Sequence, residues 1–172
     1  MHTDTIDLIP IAMMRLSNDA VLPSYAHETD AGMDLYATQE VLLQPGDTRL
    51  IQTGLAMAIP EGWEAQVRPR SGISLRTMLR IPNSPGTIDA GYRDELCVIM
   101  HNASHLNDAA SPADVPYTLE EKNNRQGAYI VRKGDKIAQI VFAKVSRAVI
   151  TEVGSLEGIG ENRLGGFGST GI

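Results

Sequence analysis

The stretch that decides the fold runs from residue 40 to residue 68 and reads EVLLQPGDTRLIQTGLAMAIPEGWEAQVR. Its apolar runs are only a few residues long, and they are separated by two turn sequences, Gln44-Pro45-Gly46-Asp47 and Pro60-Glu61-Gly62. Proline fixes a φ that suits a turn and glycine accepts a positive φ, so both residues favour tight turns. Short apolar runs between such turns predict strands rather than helices.

The same punctuation recurs nearly every ten residues along the chain and predicts further short strands. Lys136–Val145 also has helical propensity, but its β-branched residues and flanking glycines favour a strand. Only Ser71–Leu79 has the character of a helix. The predicted strands are Leu8–Arg15, Glu40–Leu43, Thr48–Ile51, Leu55–Ile59, Trp63–Arg68, Glu95–His101, Ala128–Val131 and Lys136–Val145. We therefore expect an all-β protein with one short helix, built as a β-sandwich, jelly roll or barrel.

Composition limits the size of the protein and the class of its partner. With 172 residues the chain is long enough for one domain with a sizeable core. It has 15 Lys and Arg against 21 Asp and Glu, a formal charge of −6. Proteins that coat nucleic acids or bind anionic membranes need broad positive surfaces instead. We therefore expect neither a nucleic-acid partner nor a membrane partner.

Cysteine usage and the lack of long apolar runs indicate a cytoplasmic protein. Cys97 is the only cysteine, so no disulfide can form within the chain, which is usual in a reducing compartment. The first residues, MHTDTIDLIP, lack the basic and apolar regions of a secretory signal. No apolar run approaches the roughly 18 residues of a membrane-spanning helix. We expect a soluble, cytoplasmic protein.

Two segments differ in composition from the rest. Residues 105–127 are polar, contain two prolines and predict a long surface loop, either a tolerated insertion or a functional one. Residues 154–171 contain seven of the chain's 16 glycines, which is too many for a core and indicates either a flexible end or an arm that orders on a partner or ligand. We expect a β domain over residues 1–153, with the insertion 105–127, and a C-terminal arm over residues 154–172.

The sequence Arg68-Pro69-Arg70-Ser71-Gly72 predicts a phosphate site. A strand enters a turn and then a short helix with Ser71 near the cap position, so that backbone N–H groups, a hydroxyl and the Arg70 guanidinium point to one place. Residues 63–80 contain four arginines against one glutamate, a local charge of +3 within an acidic chain. The alternative is a capped helix with solvated arginines.

Residues 83–93, NSPGTIDAGYR, predict a hairpin whose turn lies at Asp89-Ala90-Gly91, with Gly91 in a positive φ. Thr87 and Asp89 would then share one face. The free backbone groups of such a hairpin can hydrogen-bond the edge of a flat base, Tyr92 can pack on a sugar, and Asp89 can hold a water. The alternative is an ordinary hairpin with Asp89 as a turn residue.

Two further patterns are weaker. Residues 163–171, RLGGFGSTG, contain glycines, hydroxyls, an arginine and an aromatic ring but lack the lysine of a phosphate-binding P-loop, so they favour a lid that closes on a nucleotide. His101 and His105 lack a third ligand for zinc.

These pieces, in this order, resemble the trimeric dUTPase family. One matching motif alone is weak evidence, but five in the family's order form a specific signal. They are AGMDLYA at residues 31–37, PRSG at 69–72, GTIDAGYR at 86–93, GDKIAQ at 134–139 and RLGGFGSTG at 163–171.

The resemblance implies a distorted jelly-roll or β-clip fold and a homotrimer with three active sites shared between subunits. It implies Mg²⁺-dependent hydrolysis of dUTP to dUMP and pyrophosphate by water attack on the α-phosphate, which removes dUTP from the nucleotide pool and supplies dUMP for dTMP synthesis. Asp89 would orient or activate the water, and Tyr92 would pack on the deoxyribose and exclude a 2′-hydroxyl. Asp34 would support the water shell of a metal held mainly by the substrate phosphates.

The resemblance also implies the remaining binding residues. Phosphate binding would fall to Arg70, Ser71, Gly72 and Gln139. Uracil would be recognised by Asn83 and by the backbone around Thr87, Ile88 and Cys97, with Gly86 also binding substrate, in a hairpin too tight for a 5-methyl group. The arm of a neighbouring subunit would close over the nucleotide with Arg163, Phe167, Gly168 and Ser169.

Two other functions remain possible for a chain with these motifs, and the sequence differs from the usual family pattern at three places. A dCTP deaminase of the same superfamily would need a glutamate within the strand after the hairpin, where Leu96-Cys97-Val98-Ile99 stands with Glu95 out of place. The second alternative is a protein-binding regulator with a dUTPase fold. Residues 105–127, which form an insertion longer than the family's usual connection, are the feature that favours it. Asp94 stands where the family usually has glycine, and Arg163-Leu164 replaces the commoner Arg-Gly. These departures affect fine geometry and rate rather than class.

Overall fold

A computed structural model gives the structure of the chain and describes residues 8–105, 115–121 and 123–162. Over these ranges it contains eleven strands and one helix, which confirms the expectation of an all-β chain with a short helix. The elements are β1 Ala12–Arg15, β2 Met33–Tyr36, β3 Val41–Leu43, β4 Thr48–Ala58, β5 Trp63–Arg68, α1 Ser71–Arg76, β6 Leu79–Arg80, β7 Gly86–Ile88, β8 Leu96–Asn102, β9 Tyr117–Thr118, β10 Tyr129–Val131 and β11 Lys136–Lys144. Among the described residues, no helix has the length and apolar character needed to cross a membrane.

The strands form three sheets around one core. Their orders are β1-β4-β8-β6, β3-β10-β9 and β2-β11-β5-β7, and every pair is antiparallel except β9 with β10. Along β8 buried and half-buried residues alternate, as the two-residue period of a strand requires. Leu35 of β2, Ile51 of β4 and Val131 of β10 are all 0% exposed and belong to the same apolar cluster, so each sheet contributes to the core.

Strand β4 replaces two predicted strands, Thr48–Ile51 and Leu55–Ile59, with one continuous strand. Its register with β8 passes from Gln52 opposite Cys97 to Leu55 opposite Leu96, so β4 has two extra residues at this point. Gly54 lies in the bulge with a φ of +65°, a conformation that glycine adopts without strain. Gly54, which lies between the two predicted strands, is therefore the site of a bulge within one continuous strand.

Other boundaries also differ from prediction. The first strand begins at Ala12 rather than at Leu8. The short strands β2, β6 and β9 have no predicted counterpart, because two to four residues are too few to establish a period.

Helix α1 ends at Arg76, three residues before the predicted end at Leu79. Thr77 is fully buried and has an extended backbone. Its Oγ1 donates a hydrogen bond to the Ile73 carbonyl (2.8 Å) and accepts one from the Leu79 N–H (3.0 Å). This hydroxyl replaces the next helical hydrogen bonds, so the chain leaves the helix and enters β6.

The base of the segment 105–127 is held by a buried polar network. Asn102 Nδ2 donates to the carbonyls of Leu43 (3.0 Å) and Gly127 (2.8 Å). Ser104 Oγ donates to the Gly127 carbonyl (3.1 Å) and accepts from the Gly127 N–H (3.0 Å). Within the described part of the segment, Tyr117 of β9 packs its ring against Tyr129, with 5.7 Å between centroids. The segment is thus joined to the core at its base.

Candidate active site

The residues predicted to bind phosphate line one open cavity of about 410 Å³, called the arginine cavity below. Arg70, Ser71, Gly72 and Gln139 all contribute to its wall, and so does Asp34. The structure therefore brings together side chains that lie up to 105 residues apart in the sequence.

The third sheet places these residues side by side. Gln139 of β11 is opposite Asp34 of β2 on one side and opposite Arg68 of β5 on the other. The chain then turns at Pro69 and enters α1, whose first residue is Ser71. The N-cap is Arg70, with φ −88° and ψ 132°, and no side chain caps the helix. Ser71 therefore lies next to the cap position, as expected, and is the first residue of the helix.

Asp34 pairs with two cations, Arg70 on the wall of the cavity and Lys136 outside its lining. Its Oδ1 is 2.8 Å from Arg70 Nε and its Oδ2 is 2.8 Å from Lys136 Nζ. Arg70 Nη1 also donates to the Lys136 carbonyl (3.3 Å). The hydrogen bond from Lys136 to Asp34 is the main cause that raises the pKa of this lysine above its usual 10.5. Asp34 therefore holds the Arg70 side chain in place on the wall of the cavity.

Lys136 is a site residue that the sequence did not reveal. It lies in the motif GDKIAQ, but only Gln139 of that motif carries an implied role. The signal that could have identified it is its position in the motif, three residues before Gln139, together with the acidic residue of AGMDLYA.

Gln139 is fixed by two close neighbours. Its Nε2 donates to the Pro69 carbonyl (2.9 Å), which connects β11 to the turn before α1. A Cβ added to Gly32 would lie 2.7 Å from Gln139 Oε1, closer than a side chain tolerates. An alanine at residue 32 would therefore displace the end of the Gln139 side chain and strain its hydrogen bond to Pro69, so Gly32 is a second contribution to the site that the sequence did not single out.

Asp89 and Thr87 line a second cavity, the Asp89 cavity, also of about 410 Å³. Its wall includes Trp63 from the start of β5 and Arg147 from the C-terminal part of the chain. The prediction that Thr87 and Asp89 share a face agrees with this arrangement.

The predicted hairpin and the predicted conformation of Gly91 are both wrong. Strand β7 pairs with β5, whereas β8 pairs with β4 and β6 in another sheet. Between them the Tyr92 N–H donates to the Asp89 carbonyl (3.0 Å), and Gly91 is absent from the described glycines with positive φ. A turn closed by this type of hydrogen bond can form with negative φ at both central positions, so it does not need the freedom of glycine.

The loop of residues 89–95 is held by several side chains. The Tyr92 hydroxyl donates to the Glu95 carbonyl (2.8 Å), and the Arg93 guanidinium donates to the carbonyls of Ala90 (2.6 Å) and Tyr92 (2.7 Å). Burial, followed by the nearby charge of Asp94, raises the pKa of Tyr92 above its usual value. The phenol is therefore a neutral donor at physiological pH.

The remaining predicted residues fall into three groups. Asn83 is exposed, and its Nδ2 would lie 3.1 Å from a Cβ on Gly86. Ile88 and Cys97 are half-buried, and burial, followed by the charge of Glu95, raises the pKa of the Cys97 thiol to about 11. The arm residues Arg163, Phe167, Gly168 and Ser169 lie outside the described part of the chain.

The two cavities lie at different ends of the third sheet. Asp34 is on β2 and Ile88 is on β7, which are three strands apart, or about 14 Å at the usual strand spacing. Along β5, Arg68 faces Gln139 whereas Ala65 faces Ile88, and these three residues add about 10 Å. Within one chain, the residues predicted to bind phosphate and Asp89 therefore line different cavities.

Comparisons with known proteins agree with this geometry. The profile of the dUTPase family matches residues 18–107. A deoxyuridine 5'-triphosphate nucleotidohydrolase of Clostridium kluyveri is 40% identical over 161 residues, which cover 94% of this chain and 97% of the relative.

Solved structures show the same fold. The dUTPase of Staphylococcus bacteriophage 80alpha with dUpNHpp has a TM-score of 0.81 at 30% identity, covering 95% of this chain and 99% of the phage chain. A mutant dUTPase from phage phi11 of S. aureus, which coordinates a structural Mg(II) ion, has a TM-score of 0.75 at 31% identity, covering 86% of this chain and 99% of the phage chain. The expected dUTPase-like jelly-roll fold is confirmed, and the chain belongs to the dUTPase family.

Proposed function

We propose that this protein hydrolyses dUTP to dUMP and pyrophosphate. The observation that carries the proposal is the arginine cavity, in which Arg70, Ser71, Gly72 and Gln139 surround one open space. Guanidinium, hydroxyl and amide groups are suitable donors for a triphosphate. Members of the family with about 40% identity are named for this reaction.

The reaction needs the triphosphate charge to be neutralised before water attacks the α-phosphorus in line. Arg70 supplies part of this charge, and Mg²⁺ bound to the phosphates would supply the rest. Among the described residues, no group of three or more His, Cys, Asp or Glu could hold a metal, which suits an ion held mainly by phosphates and water. Asp34 would support that water shell through an oxygen that also accepts from Arg70 or Lys136.

Asp89 would orient the attacking water, and Tyr92 would pack on the deoxyribose. Because positioning of water and substrate removes much of the entropic barrier, Asp89 need not be a strong base. Thr87 lies beside Asp89 in the same cavity, where the backbone of β7 can meet the uracil edge. Arg163, Phe167, Gly168 and Ser169 would close over the bound nucleotide.

We propose further that the protein is a homotrimer with shared active sites. One chain separates the arginine cavity from the Asp89 cavity, so a complete site needs a second copy. The segment after β11 supports this assembly: Val149 is 94% exposed and Ile150 is 90% exposed. Apolar residues that are this exposed in one chain are typical of surfaces covered by a neighbour.

The test is pyrophosphate release measured separately with dUTP, dTTP, dCTP and UTP, with Mg²⁺ and with EDTA. We expect release from dUTP with Mg²⁺, and rates lower by about a hundredfold or more with the other nucleotides and with EDTA. Equal rates with dTTP would refute the proposal, and ammonia release from dCTP would identify a deaminase instead.

A regulatory role is a second candidate function. The 80alpha enzyme is described as controlling the transfer of virulence genes by a G protein-like mechanism, and here the segment 105–127 contacts the helix of the arginine cavity, because the Asn124 N–H donates to the Arg76 carbonyl (2.9 Å). Deleting residues 106–114 would test the regulatory role. If the deletion leaves the rate of dUTP hydrolysis unchanged but abolishes a regulatory effect in cells, hydrolysis and regulation are separate roles.

A further inference from the structure

Glu95 joins the loop of residues 89–95 to the bulge in β4. Its Oε1 accepts a hydrogen bond from the Gly54 N–H (2.8 Å), and its Oε2 accepts one from Gln52 Nε2 (3.0 Å). Both donors flank the point where the β4–β8 register shifts. The carboxylate therefore takes the place of a ladder partner that the bulge removes.

The bulge that receives Glu95 is itself tightly constrained. A Cβ on Gly54 would lie 2.8 Å from Ser17 Oγ and 3.0 Å from Thr38 Cγ2, and the Gly54 carbonyl accepts from the Leu16 N–H (2.7 Å). Thr53 is fully buried, and its hydroxyl donates to the Leu96 carbonyl. The anchor is thus a rigid part of the first sheet rather than a mobile surface.

The backbone of Glu95 holds the other end of the connection. Its carbonyl accepts the hydrogen bond of the Tyr92 hydroxyl (2.8 Å). One residue therefore fastens its side chain to β4 and the Tyr92 phenol to its main chain. Tyr92 is 36% exposed, so packing alone leaves much of its ring uncovered and this hydrogen bond contributes to its orientation.

We propose that Glu95 is a positioning residue that sets the discrimination between deoxyribose and ribose by fixing Tyr92. This inference rests on the proposed function, in which Tyr92 packs on the sugar. A flat apolar wall rejects an added hydroxyl only modestly unless it is rigid. Loss of the carboxylate would free the loop, let the ring withdraw and admit a 2′-hydroxyl.

The experiment measures kcat and KM for dUTP and UTP in the wild type, Glu95→Ala, Glu95→Asp and Glu95→Gln. We expect Glu95→Ala to lower the dUTP to UTP ratio of kcat/KM by about tenfold, chiefly through a gain in UTP turnover. Glu95→Asp should behave alike, because its shorter side chain retracts the carboxylate from Gly54. Glu95→Gln should restore most of the ratio, because its oxygen still accepts from Gly54 and the Gln52 amide can turn its own oxygen toward the new NH₂.

Two further variants separate positioning from general destabilisation. Tyr92→Phe removes only the hydroxyl and should lower the ratio by a similar factor, with no additional loss in the double variant with Glu95→Ala. Glu40→Ala removes an exposed carboxylate elsewhere and should leave the ratio unchanged.

A ratio within twofold of wild type in Glu95→Ala and Glu95→Asp, whatever their Tm, would overturn the inference. If Glu95→Ala does not fold, the dUTP to UTP ratios of kcat/KM in Glu95→Asp and Tyr92→Phe still test the inference. A wild type that does not hydrolyse dUTP would instead refute the proposed function.

Discussion

The arginine cavity and the Asp89 cavity are built in different ways. The arginine cavity is lined by side chains that hydrogen bonds and ion pairs hold in place within one chain: Asp34 pairs with Arg70 and Lys136, and Gln139 donates to the Pro69 carbonyl. The loop of residues 89–95 is held by hydrogen bonds of the Glu95 and Arg93 side chains. Its residues Asp89 and Tyr92 are exposed. The difference teaches that one chain brings the candidate phosphate-binding groups together in one cavity and presents Asp89 in another, which is why we propose that a second copy completes each site.

The largest expected effect comes from substituting one residue in each of the two cavities. Asp89→Asn and Arg70→Ala should each lower dUTP turnover by about a thousandfold, because in the proposed mechanism Asp89 orients the water and Arg70 donates to the phosphates. Pyrophosphate release measures turnover, and binding of a non-hydrolysable dUTP analogue should survive in Asp89→Asn. Turnover by Asp89→Asn above one tenth of wild type would contradict its role.

Mixed trimers of these two variants should recover activity. If each site takes Arg70 from one chain and Asp89 from another, random mixing at equal ratio restores about one site in four. Co-refolding the two inactive variants and measuring pyrophosphate release tests this expectation. Activity no higher than that of the separate variants would show that the site lies within one chain.

A smaller effect is expected when the connection between Asp34 and Arg70 is removed. Asp34→Asn should lower kcat by about tenfold without raising KM for dUTP, because Arg70 loses its anchor while the cavity loses a negative charge. The side chains are partly exposed, so Tm should change little. Titration with Mg²⁺ is the control: if excess Mg²⁺ restores kcat, Asp34 acts on the water shell of the metal rather than on Arg70.

These two cavities also differ in how far the sequence could predict them. The residues of the arginine cavity could be named from the sequence because the motifs that contain them are short and local, and the structure brings them together, whereas their role in phosphate binding stays a prediction. The ion pair of Lys136 with Asp34 was not, since it depends on the register of β11 with β2, which is interrupted between Lys136 and Ala138. The hydrogen bond between the Glu95 carboxylate and the Gly54 N–H likewise depends on a bulge 41 residues earlier in the chain. No pattern in the sequence around Glu95 predicts this partner.

The errors in the prediction of the fold also arise from contacts between residues that are distant in the sequence. Strand β7 is only three residues long and was interpreted as half of a hairpin because β8 follows it closely in sequence. In the structure β7 pairs with β5 instead, with the buried Gly86 opposite Val67, a contact between segments separated in the sequence. Local signals thus predicted that strands exist, whereas tertiary packing decided which strands pair.

A moderate effect on stability is expected at the contact between Gly32 and Gln139. Gly32→Ala places a Cβ 2.7 Å from Gln139 Oε1 and should lower the free energy of unfolding by about 1–2 kcal/mol, with a reduced kcat/KM for dUTP. Gly154→Ala is the matched control, because nothing lies within 4 Å of its added Cβ. Urea unfolding monitored by circular dichroism measures both variants, and equal midpoints would contradict the contact.

The smallest effect concerns Cys97, which lies just beyond the anchor of the Asp89 loop. With its pKa raised from 9.0 to about 11, the thiol at pH 8 contains about a hundredfold less thiolate than an ordinary cysteine, and alkylation depends on the thiolate. Iodoacetamide should therefore modify the folded protein slowly at pH 8 and rapidly in urea, and the rate should rise as the pH approaches 11. Because the Glu95 carboxylate contributes to the raised pKa, Glu95→Gln should react faster than wild type at pH 8 while its loop stays anchored, which separates the charge of Glu95 from its hydrogen bonds. Equal rates in the folded and unfolded protein would mean that the start of β8 is open to solvent, which would contradict the tight connection of the loop 89–95 to β4 that the hydrogen bonds of Glu95 indicate.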